Sequence, residues 1–342
     1  MSAYYRPIPC FDPARPSDAL PLAGGWCHFD RVERLARGAP PEILHASDVP
    51  EAVLARLTAP REAICGVGMA APRLMGILNV TPDSFSDGGL HDAPAAALAH
   101  ARAMAAQADF IDIGGESTRP GAKEVSVEEE IHRTAPVIAA MRATGISRPV
   151  SIDTRKAAVA AAALDAGADM VNDVSGLGFD PALAPLVGAR GAPLCVMHSI
   201  ATPETMQQDP RYGDVLLDVY DFLEERVVRA EAAGIPRARI LVDPGIGFGK
   251  TLAHNLALLA RISLFHGLGC PILLGVSRKR MVGELGRAAE ARARTPGSIA
   301  AGLAAVAQGV QVLRVHDVAE TAQALRLFLA ATTGQRPEED EA

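Results

Sequence analysis

Aromatic residues are scarce, 4% of 342 positions, which argues against a surface on which nucleic-acid bases stack. A formal charge of −7 removes any general pull toward nucleic acid or an anionic membrane, so an anion site has to be a local cluster of donors. Cysteine is sparse as well. Cys10, Cys27, Cys65, Cys195 and Cys270 contain no CxxC pair, and neither a zinc ribbon nor a disulfide framework is expected. No apolar run is long enough to span a bilayer, and the first 16 residues lack the basic-then-apolar order of a secretory signal. A cytoplasmic location is the expectation. Lysine is rarer still, with only Lys123, Lys156, Lys250 and Lys279 in an arginine-rich chain. Each either marks a place that needs a compact point charge or has survived by chance.

What is present is apolar enough, at 49%, to bury a substantial core. Residues 1–70 are rich in proline and turn residues and read as an extension packed on the main domain. Within them "DVPEAVLARLTAP" suggests one short helix, capped by Asp48 with Pro50 just inside. Residues 336–342 form an acidic tail. Between these, over residues 71–335, apolar runs of strand length recur: "LMGILNV", "FIDIGG", "VSID", "MVNDV", "LCVMH", "ILVDP", "ILLGVS" and "VLRVH". Alanine- and leucine-rich segments of helical spacing separate them, and Gly167 and Gly234 follow two of these segments where a helix would be capped. Strands alternating with helices imply βαβ units and a parallel sheet. Eight strands in about 260 residues fit an α/β fold of the (β/α)8 TIM-barrel type better than an open sheet.

In such a barrel the site lies at the C-terminal ends of the strands. Those ends carry Asn79, Glu116, Asp153, Asn172, His198, Asp243, Ser277, Arg314 and His316, too many polar residues to be helix caps alone. The loops "TPDSFSDGG" and "GGESTRPGA" combine glycine, proline and hydroxyls, a composition suited to lids that exclude water. Arg314 and His316 alternate along a strand beside Ser277, Arg278 and Lys279, an arrangement for an anion such as a diphosphate. Ser117, Thr118 and Arg119 approach it from the second loop. Asp153, Asn172 and Asp243 offer carboxylate and amide groups to an amino-pyrimidinone edge, with Lys279 donating on the far side. A divalent metal cluster is the rival use of this set. The lack of a His-x-His or His-x-x-x-His pair argues against a transition metal, but not against magnesium carried by a diphosphate. "DPGIGFGKT" is no P-loop, because Pro244 stands where the first glycine is required.

In order along residues 74–332, "MGILNVTPDSFSDGG", "FIDIGGESTRPGA", "SIDTRK", "DMVNDVSG", "LVDPGIGFGKT", "GVSRK" and "RVHDV" resemble the successive motifs of the dihydropteroate synthases. The resemblance implies condensation of 6-hydroxymethyl-7,8-dihydropterin diphosphate with 4-aminobenzoate, giving 7,8-dihydropteroate and diphosphate. It implies Asp153, Asn172, Met197, Asp243 and Lys279 at the pterin and Asn79, Thr118, Arg119, Arg314 and His316 at the diphosphate, with Asn79 also a ligand of Mg2+. Ser117, Thr118, Pro120, Phe248 and Arg280 would meet the aminobenzoate. Asp153, Lys279, Arg314 and His316 would carry catalysis. A homodimer, sensitivity to sulfonamides, and no nucleic-acid or membrane partner are also implied. Arg280 stands where some members have serine, and Ser199 and Ile200 vary as well. The alternatives are a catalytically silent pterin-binding paralogue and a corrinoid-type methyltetrahydrofolate methyltransferase.

Overall fold

A computed structural model describes residues 3–81, 93–117, 122, 124–200 and 210–334. Most of the first loop, with Thr118, Arg119, Pro120 and Lys123 of the second and the acidic tail, lies outside them. Eight parallel strands form the core: β6 (Arg73–Asn79), β7 (Phe110–Gly114), β8 (Val150–Asp153), β9 (Met170–Asp173), β10 (Leu194–Met197), β11 (Ile240–Asp243), β12 (Leu273–Leu274) and β13 (Val312–Val315). Each coincides with one of the apolar runs. Their order is β11-β10-β9-β8-β7-β6-β13-β12, and a parallel bridge from Val242 to Ile272 joins the two ends into a barrel.

Helices follow the strands. They include α2 (Ala93–Ala105), α3 (Val127–Ala143), α4 (Ala157–Asp165), α5 (Leu183–Arg190), α6 (Val215–Ala232), α7 (Leu252–Ala260), α8 (Arg280–Leu285), α9 (Thr295–Val306) and α10 (Val318–Thr333). Ser126 caps α3 by accepting from Glu129 N, and Asp214 caps α6. Gly167 and Gly234 sit at positive φ just past α4 and α6, as their place in the sequence suggests.

The first seventy residues hold more structure than their composition shows. β1 (Ala3–Pro7), β4 (Arg31–Ala36) and β5 (Glu42–His45) form an antiparallel sheet in the order β1-β4-β5, and β2 (Leu20–Pro21) pairs with β3 (His28–Phe29). Helix α1 (Glu51–Thr58) begins after Pro50, its N-cap; Asp48 instead closes a preceding 3₁₀ turn. These elements share a small core around Cys27, Phe29, Val32 and Leu57. They are tied to α6 by Tyr4 to Asp221 (2.8 Å) and by Arg37 to Asp218 (2.6 Å), and to the end of α9 by Trp26 to the Val306 carbonyl (3.0 Å). Ile64 and Met69 then enter the bottom of the barrel beside Met75, Phe110, Met170, Leu241, Leu273 and Val312.

His266, in a 3₁₀ segment at this seam, is fully buried and bonds the Gln308 carbonyl through Nε2 (3.0 Å). Burial, with Arg61 nearby, depresses its pKa to about 3. Its neutral form contributes stability that is complete above the ordinary histidine pKa and is lost as pH falls below it, because only the unfolded chain takes up the proton. The stability gap between the wild type and His266→Gln should therefore narrow by about 2 kcal/mol between pH 6.5 and 5. Chemical denaturation at both pH values measures it, and a pH-independent gap would rule it out.

Candidate active site

Along each barrel strand alternate side chains face the axis. The lowest inward positions are apolar apart from Ser151. One step toward the C-terminal ends the same rows become polar: Asp112 above Phe110, Asp153 above Ser151, Asn172 above Met170, Asp243 above Leu241 and Arg314 above Val312. Met197, above Cys195 and in register with Asp243, completes this layer as an apolar wall. The site is thus a buried polar ring resting on a hydrophobic floor.

Arg314 is its hub. Its Nε donates to Asp112 Oδ2 (2.6 Å) and Nη2 to Asp153 Oδ2 (2.7 Å), while Asn172 Nδ2 also donates to Asp112 Oδ2 (3.2 Å). Across the ring Asp243 Oδ1 accepts from Gly245 N (2.7 Å). Lys279 donates to the Ile246 carbonyl and lies 4.5 Å over the Phe248 ring. Burial raises the pKa of Asp153, neighbouring Asp112 raises it further, and Arg314 opposes both. Burial raises Asp243 against the pull of Lys279. The Lys279 ammonium is pushed down to about 8 by burial, with Asp243 opposing. Burial works against the charge of Arg314, but Asp112 and Asp153 outweigh it and hold the guanidinium protonated. Three carboxylates thus share two cations, so a fully ionised ring carries one negative charge in excess and favours a positive guest.

Asn79 ends β6 in register with Gly114, which pairs in turn with Asp153. A Cβ on Gly114 would stand 3.5 Å from Asp153 Cβ and 3.8 Å from Asn79 Oδ1, so glycine keeps the gap between those side chains open. His316 contacts Ser277 Oγ through Nδ1 (3.0 Å) at the rim. Ser117 and Phe248 are half-buried, and Arg280 opens α8 in solvent. Of the expected rim residues, three are turned away. Arg278 is committed to Asp317. Glu116 accepts from Arg155 (2.9 Å), Lys156 (3.2 Å) and Val125 N (2.9 Å), in a buried network that Lys156 extends to Glu130 (2.8 Å). His198 follows inward-facing Met197 and points the other way, packing on Phe222 and pairing with Lys250 Nζ (2.8 Å). Burial and that lysine hold its imidazole neutral, with a pKa of about 2.

Three of the four lysines fall in the described residues, and all three work in confined places. Lys250 bonds the Gly245 and Phe248 carbonyls (2.9 and 3.0 Å), which fixes the loop carrying Phe248. That loop needs glycine at 245, where φ is +66° and a Cβ would fall 2.0 Å from the His198 carbonyl oxygen. Asp112 was not singled out from the sequence. Its signal was there, since in "FIDIG" it shares the inward phase of Phe110 and Gly114.

The model of the pterin binding enzyme family matches residues 75–316. A dihydropteroate synthase of Escherichia coli (strain K12) is 45% identical over 268 residues, 78% of this chain and 94% of that one. The solved structure of Xanthomonas albilineans dihydropteroate synthase with 4-aminobenzoic acid is 47% identical with a TM-score of 0.74, covering 78% of this chain and 96% of that chain. The same enzyme in complex with 7,8-dihydropteroate is 45% identical with a TM-score of 0.71, covering 78% and 95%.

Proposed function

The chain belongs to the pterin binding enzymes and, within them, to the dihydropteroate synthases, which join 6-hydroxymethyl-7,8-dihydropterin diphosphate to 4-aminobenzoate, and from that premise we propose how its own residues divide the work. The observation that carries the reading is the polar ring buried above an apolar floor, with one carboxylate in excess. Asn172, Asp243 and Lys279 hold the amino-pyrimidinone edge, with Met197 against the ring face. Asn79, Arg314 and His316 face the diphosphate, and Ser117, Phe248 and Arg280 the aminobenzoate. Thr118, Arg119 and Pro120, the other residues implied there, lie outside the described residues.

The C–O bond to diphosphate breaks and its electron pair leaves with the diphosphate oxygen. The cationic methylene that remains is stabilised by Asp153 from within the ring. The aminobenzoate nitrogen then forms the C–N bond and releases a proton to solvent, so no strong base is needed. Among the described residues no group of three or more His, Cys, Asp or Glu is placed to hold a metal ion by itself. A hard oxygen from Asn79 beside substrate phosphates still suits Mg2+, which when bound would neutralise charge on the leaving group. A homodimer and a cytoplasmic location belong to the same proposal; among the described residues no helix is long and apolar enough to cross a membrane.

Diphosphate release, measured with and without 4-aminobenzoate and Mg2+, tests the assignment. Release coupled to pteroate formation and dependent on Mg2+ is expected, whereas tight pterin binding without turnover would point to the silent paralogue. Because Asp153 is held above the ordinary carboxylate range by burial and must ionise to stabilise the cation, kcat/KM should rise with pH, with an inflection that Asp153→Asn abolishes. An unchanged inflection in that variant would remove Asp153 from the role. Arg280→Ser should raise KM for 4-aminobenzoate several-fold with little change in kcat, and an unaltered KM would exclude contact with its carboxylate.

A further inference from the structure

We propose that Asp112 is a positioning residue that fixes the polarity of the Asn172 amide, and so decides which ring edge the pocket accepts. The inference rests on the pterin-condensing reading and adds a residue to it. Asp112 is fully buried one layer below the mouth. Its Oδ2 receives both the Asn172 amide nitrogen (3.2 Å) and Arg314 Nε (2.6 Å). An acceptor at that point can pair with the NH2 of Asn172 but not with its oxygen. The amide is thereby locked with its nitrogen toward β7, and its Oδ1, which has no partner among the described residues, is left for a ligand. A locked amide presents an acceptor in one fixed place. It therefore selects a heterocycle that carries N–H there and rejects the isomer carrying a carbonyl, as a buried polar site does when one group would go unpaired.

The other oxygen, Asp112 Oδ1, is buried without a partner among the described residues, and so is the hydroxyl of Ser151, its register partner on β8. This detail separates an acceptor role from a charge role. In Asp112→Asn the amide oxygen can occupy the Oδ2 place and keep both donors, while the new NH2 takes the Oδ1 place, which makes no hydrogen bond among the described residues in the wild type either. In Asp112→Ala the acceptor is gone and the Asn172 amide is free to turn over.

Equilibrium binding of 6-hydroxymethylpterin, which lacks the diphosphate and so bypasses the anion role of Arg314, gives the test. Affinity should fall at least tenfold in Asp112→Ala and stay within threefold of wild type in Asp112→Asn. In an Asn172→Ala background the Asp112→Ala change should cost less than threefold, because the group it positions is gone. Wild-type affinity in Asp112→Ala, equal loss in both variants, or additive effects with Asn172→Ala would each overturn the inference. Should Asp112→Ala not fold, a crystal structure of the wild type with the pterin decides: Asn172 Oδ1 must face a nitrogen bearing hydrogen, and a ligand carbonyl there overturns it. No pterin binding by the wild type would instead overturn the functional reading.

Discussion

Arg314→Ala should slow turnover at least tenfold, a loss of about 1.4 kcal/mol of transition-state stabilisation, and should destabilise the fold as well. Both effects come from one geometry. The guanidinium pairs with Asp112 and Asp153, and removing it leaves two buried carboxylates without that partner. Breaking a buried ion pair from one side typically costs about 3–5 kcal/mol, more than the pair contributed, because the orphaned charge stays desolvated. Acid relieves part of that cost by protonating Asp153, whose pKa burial already raises, so the stability gap to the wild type should shrink as pH falls. Arg314→Lys should recover part of the stability, since a point charge can serve one carboxylate, but little of the turnover, since it cannot span both. Denaturant unfolding at several pH values, beside steady-state kinetics at saturating substrate, reads both arms. Near wild-type turnover in Arg314→Ala would remove the residue from the reaction, and a gap that widens in acid would contradict the charge argument.

Lys156→Met should rank with it, but in stability rather than chemistry. The ammonium lies between Glu116 (3.2 Å) and Glu130 (2.8 Å) and also donates to the Val125 carbonyl (2.6 Å). Glu130 is fully buried, and its other oxygen has no partner among the described residues. Deleting the lysine strands that charge inside α3, at a cost of about 3–5 kcal/mol. The double variant Glu130→Gln with Lys156→Met removes the stranded charge together with its partner and should regain a large part of the loss. If the double variant is no more stable than the single one, the network is not held by charge. A separate functional effect is also expected, because Glu116 accepts from Val125 N and so closes the two ends of the second loop on each other. KM for 4-aminobenzoate should then rise in Lys156→Met even at a temperature where the variant is fully folded.

The barrel was legible because its strands are buried on both faces and read as unbroken apolar runs, which tertiary context has little room to override. The polar ring was legible in part, since a carboxylate or amide ending such a run has few other reasons to be there. Asp112 escaped because it sits mid-run, where only the inward-outward phase gives it away. Glu116 and His198 were misassigned to the rim for the converse reason: both lie just past a strand end, where the phase is lost and nearby cations take over the side chain. The extension was the least legible part. Its sheet does not alternate cleanly: on β4 the adjacent Val32 and Glu33 are both buried, and the charge of Glu33 is made tolerable by Arg6 (2.5 Å) and Arg261 (3.4 Å) from distant segments. No local pattern reveals a buried carboxylate whose partners lie far away along the chain in opposite directions.

Ile64 and Met69 close the bottom of the barrel with side chains from outside it, and what they close is a second exit. The pocket is a cul-de-sac, and traffic through it has to obey a queue. A ligand seated on the floor can neither enter nor leave past one bound nearer the mouth. With the heterocycle seated deep and the aminobenzoate at the rim, as proposed above, the heterocycle must load first, and the condensed product, anchored by its deep end, must leave after the diphosphate. Steady-state kinetics should therefore follow a compulsory order, with aminobenzoate analogues uncompetitive against the pterin diphosphate.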